Sequence, residues 1–243
     1  MHAFTSMRSM RSCTAVLCAA LIGLLAAAPA AAVETESALA RGGRLYDKFF
    51  AENGTAKPTV NHPAYANKAG KYDKDTSWRC KECHGWDYKG KDGAYASGSH
   101  ETGIKGIADA AGRDPAAIVA ILQDATHAYT DKHLSAQDMQ DLALFVSKGQ
   151  VDVYKYIDAS SKQAKGDAAK GEAYYNTICA GCHGFDGKKL KDAPPLGSVA
   201  GNHPEMLHKV MNGQPDESMP ALRALDPQIA VDIVTYLPSL PKD

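Results

Sequence analysis

Cys179-Ala180-Gly181-Cys182-His183 is the stretch that decides the fold, and Cys80-Lys81-Glu82-Cys83-His84 repeats it upstream. Two cysteines separated by two residues, with histidine directly after the second, form the attachment signature for c-type haem. Each thiol makes a thioether to a haem vinyl group, and the histidine becomes the proximal iron ligand. A zinc site is the competing reading of a single such motif, but zinc sites usually gather four ligands in paired knuckles. Two copies, in a chain whose other cysteines fall in its leader, favour haem at both.

The leader is read from its pattern. Met1 to Ser12 carries Arg8 and Arg11 and no acid, Ala15 to Ala28 is a short alanine-rich apolar run, and Ala30-Ala31-Ala32 offers small residues for cleavage. That is an export signal, residues 1–32, cut after Ala32 so that the mature chain starts at Val33. Of the six cysteines, Cys13 and Cys18 leave with it. The remaining four all belong to the two motifs, so no disulfide framework is expected. Export and haem attachment agree, since the thioethers form on the outer side of the bacterial membrane; the expected location is the periplasm. With 27 basic and 28 acidic residues in all, loss of two arginines leaves 25 against 28, a net charge of −3. Near neutrality argues against nucleic acid as a partner. Lys68, Lys71, Lys74, Arg79, Lys81, Lys89 and Lys91 crowd the first motif, either as a solvated face or as a docking patch for an acidic redox partner.

Internal repetition divides the rest. Ala40-Arg41-Gly42-Gly43-Arg44-Leu45-Tyr46 reads like Ala169-Lys170-Gly171-Glu172-Ala173-Tyr174-Tyr175, and Gly112-Arg113-Asp114-Pro115 like Gly201-Asn202-His203-Pro204. Each of the latter pair opens a helical run with proline in the first turn. Met139, Leu142 and Phe145 behind a Ser135 N-cap match Ile229, Ile233 and Tyr236 behind Pro227 at helical spacing. Both halves thus read as helix, haem motif, loop, helix, variable loop, helix, without a hairpin signal. The expected organisation is a first domain over residues 33–158, a linker over 159–167 and a second domain over 168–243. The first domain carries excursions near 51–78 and 88–101, where the second runs straight on.

A closed haem site needs a second axial ligand. In the second half the loop from Asn212 to Pro220 supplies Met219, held by the proline after it. Met206 and Met211 lie on the preceding helix and are expected to pack. Pro195 is placed to offer its carbonyl to His183. In the first half no Met-Pro follows; aligning Leu134 with Leu225 brings His127 beside the place of Met219, with His133, Met139 and His100 as alternatives. Gly106-Ile107 stands where Pro195-Leu196 would, leaving the partner of His84 unassigned. Trp78 and Trp86 are expected to wall the first haem, and His203 and His208 to be ordinary polar residues of a surface-facing helix.

Gly171, Tyr175, Cys179, Cys182, His183, Pro195, Leu196, Met219, Pro220 and Tyr236 closely resemble a class I cytochrome c domain, and the two halves together resemble dihaem cytochromes of the cytochrome c4 kind. The resemblance implies an all-α protein of two tandem domains, each wrapped around one covalent haem c, transferring electrons between periplasmic or membrane-bound redox proteins. The iron ligands would be His84, His127, His183 and Met219. An enzyme with a reactive first haem, of the thiosulfate dehydrogenase or peroxidase type, is the alternative raised by the unusual first-half loop. No further cysteine and no acid–base constellation accompany that loop.

Overall fold

A computed structural model describes residues 28–66 and 71–243, with side chains from residue 35 onward. Most of the expected leader, and Lys68, therefore lie outside the described residues. Ala38–Asp243 form one compact unit; of the preceding unit, Met1–Ser37, the described part is the helical segment from Ala28. The described residues are helical and contain no strand, only the isolated bridges Gly90 to Lys105 and Ile157 to Ala164. None of the described helices is long and apolar enough to cross a membrane.

The expected element order is present. In the first half, helix α1 (Ala28–Glu52) leads to the motif helix α2 (Cys80–His84), then α3 (Pro115–Leu122) and α4 (Ala136–Leu144). Asp114 caps α3 with Pro115 in its first turn, and Ser135 with Asp138 forms a reciprocal capping box on α4. A short α5 (Val153–Tyr156) follows. In the second half, α6 (Ala168–Tyr174) leads into α7 (Ala180–His183), then α8 (Leu196–Val199), α9 (His203–Asn212) and α10 (Pro227–Tyr236). Wider turns at Phe145–Gly149 and Tyr175–Cys179 extend α4 and α6.

The first helix of each half crosses the last one where the repeat places glycine. A side chain on Gly42 would collide with the Asp141 carbonyl and Phe145, and one on Gly171 with the Asp232 carbonyl and Tyr236. Bare backbone at these two positions lets the helices touch. The carboxylates beside the crossings are secured alike, Gln137 Nε2 donating to Asp141 Oδ1 and Gln228 Nε2 to Asp232 Oδ1, both at 2.8 Å. Residues 157–165 close a turn: Lys162 N donates to the Asp158 carbonyl and Lys165 N to that of Tyr156. Asp167 N then reaches Asp232 Oδ1 at 2.9 Å, fastening the start of α6 to α10.

Candidate haem sites

The two motifs sit in one local framework. After each histidine comes a glycine with φ +79°, Gly85 or Gly184, a value that any other residue adopts under strain. Its carbonyl accepts from a tyrosine on the half's first helix: Tyr46 Oη to Gly85 O at 2.6 Å, Tyr175 Oη to Gly184 O at 2.7 Å. The histidine carbonyl accepts in turn from Gly90 N at 2.9 Å, or from Lys189 N at 3.0 Å. Asp87 and Asp186 brace the following turns through Lys89 N and Lys188 N. None of the four motif cysteines is in a disulfide. Burial pushes the Cys80 and Cys179 thiols up to about 11 and the Cys83 thiol to about 12. No cluster of three or more metal-binding side chains occurs among the described residues.

Around His84 the donors are sorted. Its Nδ1 donates to the Lys105 carbonyl at 2.8 Å, the residue just before Gly106-Ile107. This is the orienting contact the sequence left unassigned, and it keeps Nε2 free for a metal. Burial pushes the His84 imidazole down to about 4, favouring the neutral ring that a metal needs. The ring of His127 faces it, centroids 6.3 Å apart and planes 27° from parallel. His127 Nδ1 is engaged by Asp124 Oδ1 at 3.2 Å, so its Nε2 is free as well. Two imidazoles each bonded to one metal at about 2.0 Å through a nitrogen have centroids about 6 Å apart. The spacing, the free Nε2 pair and the two adjacent thiols fit a covalently held haem.

The alternatives to His127 are committed elsewhere. His133 Nδ1 accepts from Thr130 N at 3.2 Å, and its ring lies against Trp78 at 4.6 Å. Met139 is 3% exposed in the core cluster with Leu134 and Leu142. His100 is sandwiched between Tyr72 and Tyr95 at 4.3 and 4.5 Å, with Nδ1 on Glu82 Oε2 at 2.9 Å. Burial raises the Glu82 carboxyl, but His100 and the ion-paired Lys81 outweigh it and hold the group below its ordinary value.

The second site is sparser. His183 is half-buried, and burial lowers its pKa. The Pro195 carbonyl is taken by Ser198, whose N donates to it at 3.0 Å and whose Oγ donates at 2.7 Å, so it does not orient His183 as expected. Met219 is half-buried and packs against the core. Its loop closes tightly because Gly213, at φ +88°, admits the Met219 carbonyl beside it. Met206 and Met211 are buried on α9, as anticipated for packing residues.

Residues 166–237 match the family model described as cytochrome c oxidase, cbb3-type, subunit III. This segment is a cytochrome c domain. Neither a curated protein nor a solved structure matches the chain. The cytochrome c domain runs from the approach to α6 through α10, so it contains the second motif and Met219, and it implies a covalently bound haem c and an electron-transfer role.

The cytochrome c domain presents α9 to the first half, which corrects two expectations. His203 and His208 do not face solvent: they are 2% and 4% exposed, and α9 is buried along most of its length. His203 Nδ1 bonds the Lys162 carbonyl at 2.6 Å. His208 Nε2 donates to the Gly43 carbonyl at 2.9 Å, its ring among Tyr46, Trp86 and Phe145. Trp86 accordingly belongs to this junction, with Lys81 and Lys209 over its ring, while its counterpart Phe185 is 72% exposed. Asp47 ties the junction together: it pairs with Arg79 beside the first motif and with Lys209 Nζ on α9 at 2.8 Å. Burial raises its carboxyl, yet the two cations drive it far below the usual range. Polar residues on α9 therefore find partners in the other half, which no single-helix reading reveals.

Proposed function

We propose that the chain is an exported dihaem cytochrome that carries single electrons between periplasmic or membrane-bound redox proteins, as a soluble carrier or as the electron-transfer subunit of an oxidoreductase. Its domains are residues 33–158 and 168–243, each binding one haem c. Cys80 and Cys83 hold the first, with His84 and His127 as axial ligands; Cys179 and Cys182 hold the second, with His183 and Met219. The recurrence of the same glycine, tyrosine and aspartate framework at both motifs supports two sites rather than one. Bound haem supplies a one-electron couple; the protein sets its potential through the axial ligands and excludes other ligands.

The observation that carries the carrier reading is the opposition of His84 and His127 with both Nε2 atoms free. A second imidazole at that position closes the iron, whereas the thiosulfate or peroxide alternative calls for an open or displaceable sixth position. The family whose model matches the second half is named for an oxidase subunit, which agrees with a partner that is itself a redox complex. Exposed Lys74 and Lys89 make the first half's docking face for an acidic partner, Arg79 and Lys81 being spent on Asp47 and Glu82. Intact mass of the exported protein tests the count, and must equal the chain from Val33 plus two haems. Electron paramagnetic resonance of the oxidised protein tests closure, with two low-spin signals expected. A high-spin first site, or turnover of thiosulfate or peroxide at enzymatic rates, overturns the carrier.

A further inference from the structure

The first half lacks the proline that follows Met219, and its ligand loop turns instead through Ala128, a left-handed residue with φ +55°. Something else must hold His127 against His84. Asp124 Oδ1 accepts from Thr126 N and His127 N and so shapes the approach from within the loop. From outside, one side chain grips the residue itself: His62 Nε2 meets the His127 carbonyl at 2.7 Å. The tautomer follows from the other nitrogen. His62 Nδ1 accepts from Ala64 N at 3.1 Å, so the proton is on Nε2 and is donated to His127.

His62 is itself fixed. It is 7% exposed, its backbone N donates to Ser77 Oγ at 2.9 Å, and its ring stands edge-on to Trp78 at 4.6 Å. Trp78 Nε1 donates to the Val60 carbonyl at 2.9 Å, and Tyr129 Oη donates to the Trp78 carbonyl at 2.6 Å. The excursion between α1 and α2 is thereby laced both to the segment that enters the first motif and to the loop that carries His127. From this we infer that His62 is a positioning residue for the first iron site: the excursion 51–78 does for His127 what Pro220 does for Met219. The inference rests on His127 being an axial ligand, and its test separates the two.

The test uses the haem-loaded protein, with cyanide as the probe of the ferric first site and with low-spin resonance and thermal midpoint as parallel readouts. His62→Phe keeps an aromatic ring but removes the donor; His62→Gln restores a donor near the Nε2 position. Losing the hydrogen bond frees His127 to swing away, so cyanide should enter about tenfold faster in His62→Phe. The His183 site should be unchanged, and His62→Gln should return to within about twofold of the parent. His127→Ala is measured alongside. If it opens the iron while His62→Phe exchanges at the parent rate, His62 does not position the ligand and the inference fails alone. If His127→Ala leaves the spectrum unaltered, the ligand reading fails and takes the inference with it. Should His62→Phe not accumulate, His62→Asn, whose amide is too short to reach the carbonyl, takes its place under the same criteria.

Discussion

Acid should loosen the junction between the halves through one imidazole, His208. It is neutral and buried, and burial pushes it from its ordinary 6.5 down to about 4. Asp47 from α1 and the bond to Gly43 oppose that shift, while Lys209 and Arg223 add to it. The sign follows from linkage. The unfolded chain binds a proton at about 6.5 and the folded one only near 4, so stability from neutral His208 is full above pH 6.5 and is lost as pH falls from 6.5 to 4. At about 1.4 kcal/mol per pH unit the loss comes to about 3 kcal/mol, and it levels off below pH 4. His208→Gln retains an amide donor for Gly43 and cannot titrate. Urea midpoints of both proteins, haem-loaded, across pH 7.5 to 4 give the test. The parent should lose about 3 kcal/mol more than the variant over that window, other titrations cancelling in the difference. Parallel curves for the two proteins refute the reasoning.

Asp47→Asn should be costlier than its size suggests, about 3–5 kcal/mol by denaturation, because Arg79 and Lys209 lose a buried counter-charge together. Gly171→Ala should lower stability by about 1–3 kcal/mol, since the new methyl group meets the Asp232 backbone rather than a yielding side chain; Gly42→Ala should behave alike, and a neutral result at either position removes the crossing argument. Met219→His should abolish the near-infrared methionine-to-iron band and lower the potential of the second site with haem retained. Survival of that band assigns the ligand to another methionine.

Much of this was legible because it rests on local rules. The Ser135 cap, the first-turn Pro115, the paired glycines and the recurring motif are short-range signals, and each element they predict is present. The register argument that singled out His127 ran through the flanking helices, and the His127 ring lies 6.3 Å from that of His84. Contacts made by backbone atoms left no trace in the sequence: any residue in place of Lys105 has a carbonyl to offer His84. Pro195 failed for the complementary reason, its carbonyl being taken by Ser198 three residues on. Charged residues misled where they were buried in pairs. Arg79 and Lys81 read as part of a basic cluster, either solvated or a docking patch, and α9 as a surface helix. Arg79 and α9 misled because their partners lie far away in sequence, Lys81 because it is buried against its neighbour Glu82.

The contact between the halves joins unlike surfaces, α9 of one to the turn after the motif of the other, and that has a consequence for each half. A head-to-tail contact uses a different face of each half, so the equivalent of each buried face stays outside the contact on the other half. One such face is the turn of the second half, where Phe185 is bare at the position that buries Trp86 in the first. The other is α3, whose Val119 stands at the register of His208 and whose neighbour Ile121 is 38% exposed. Phe185 and Ile121 are thus apolar side chains left in solvent whose counterparts, Trp86 and Val210, are buried between the halves.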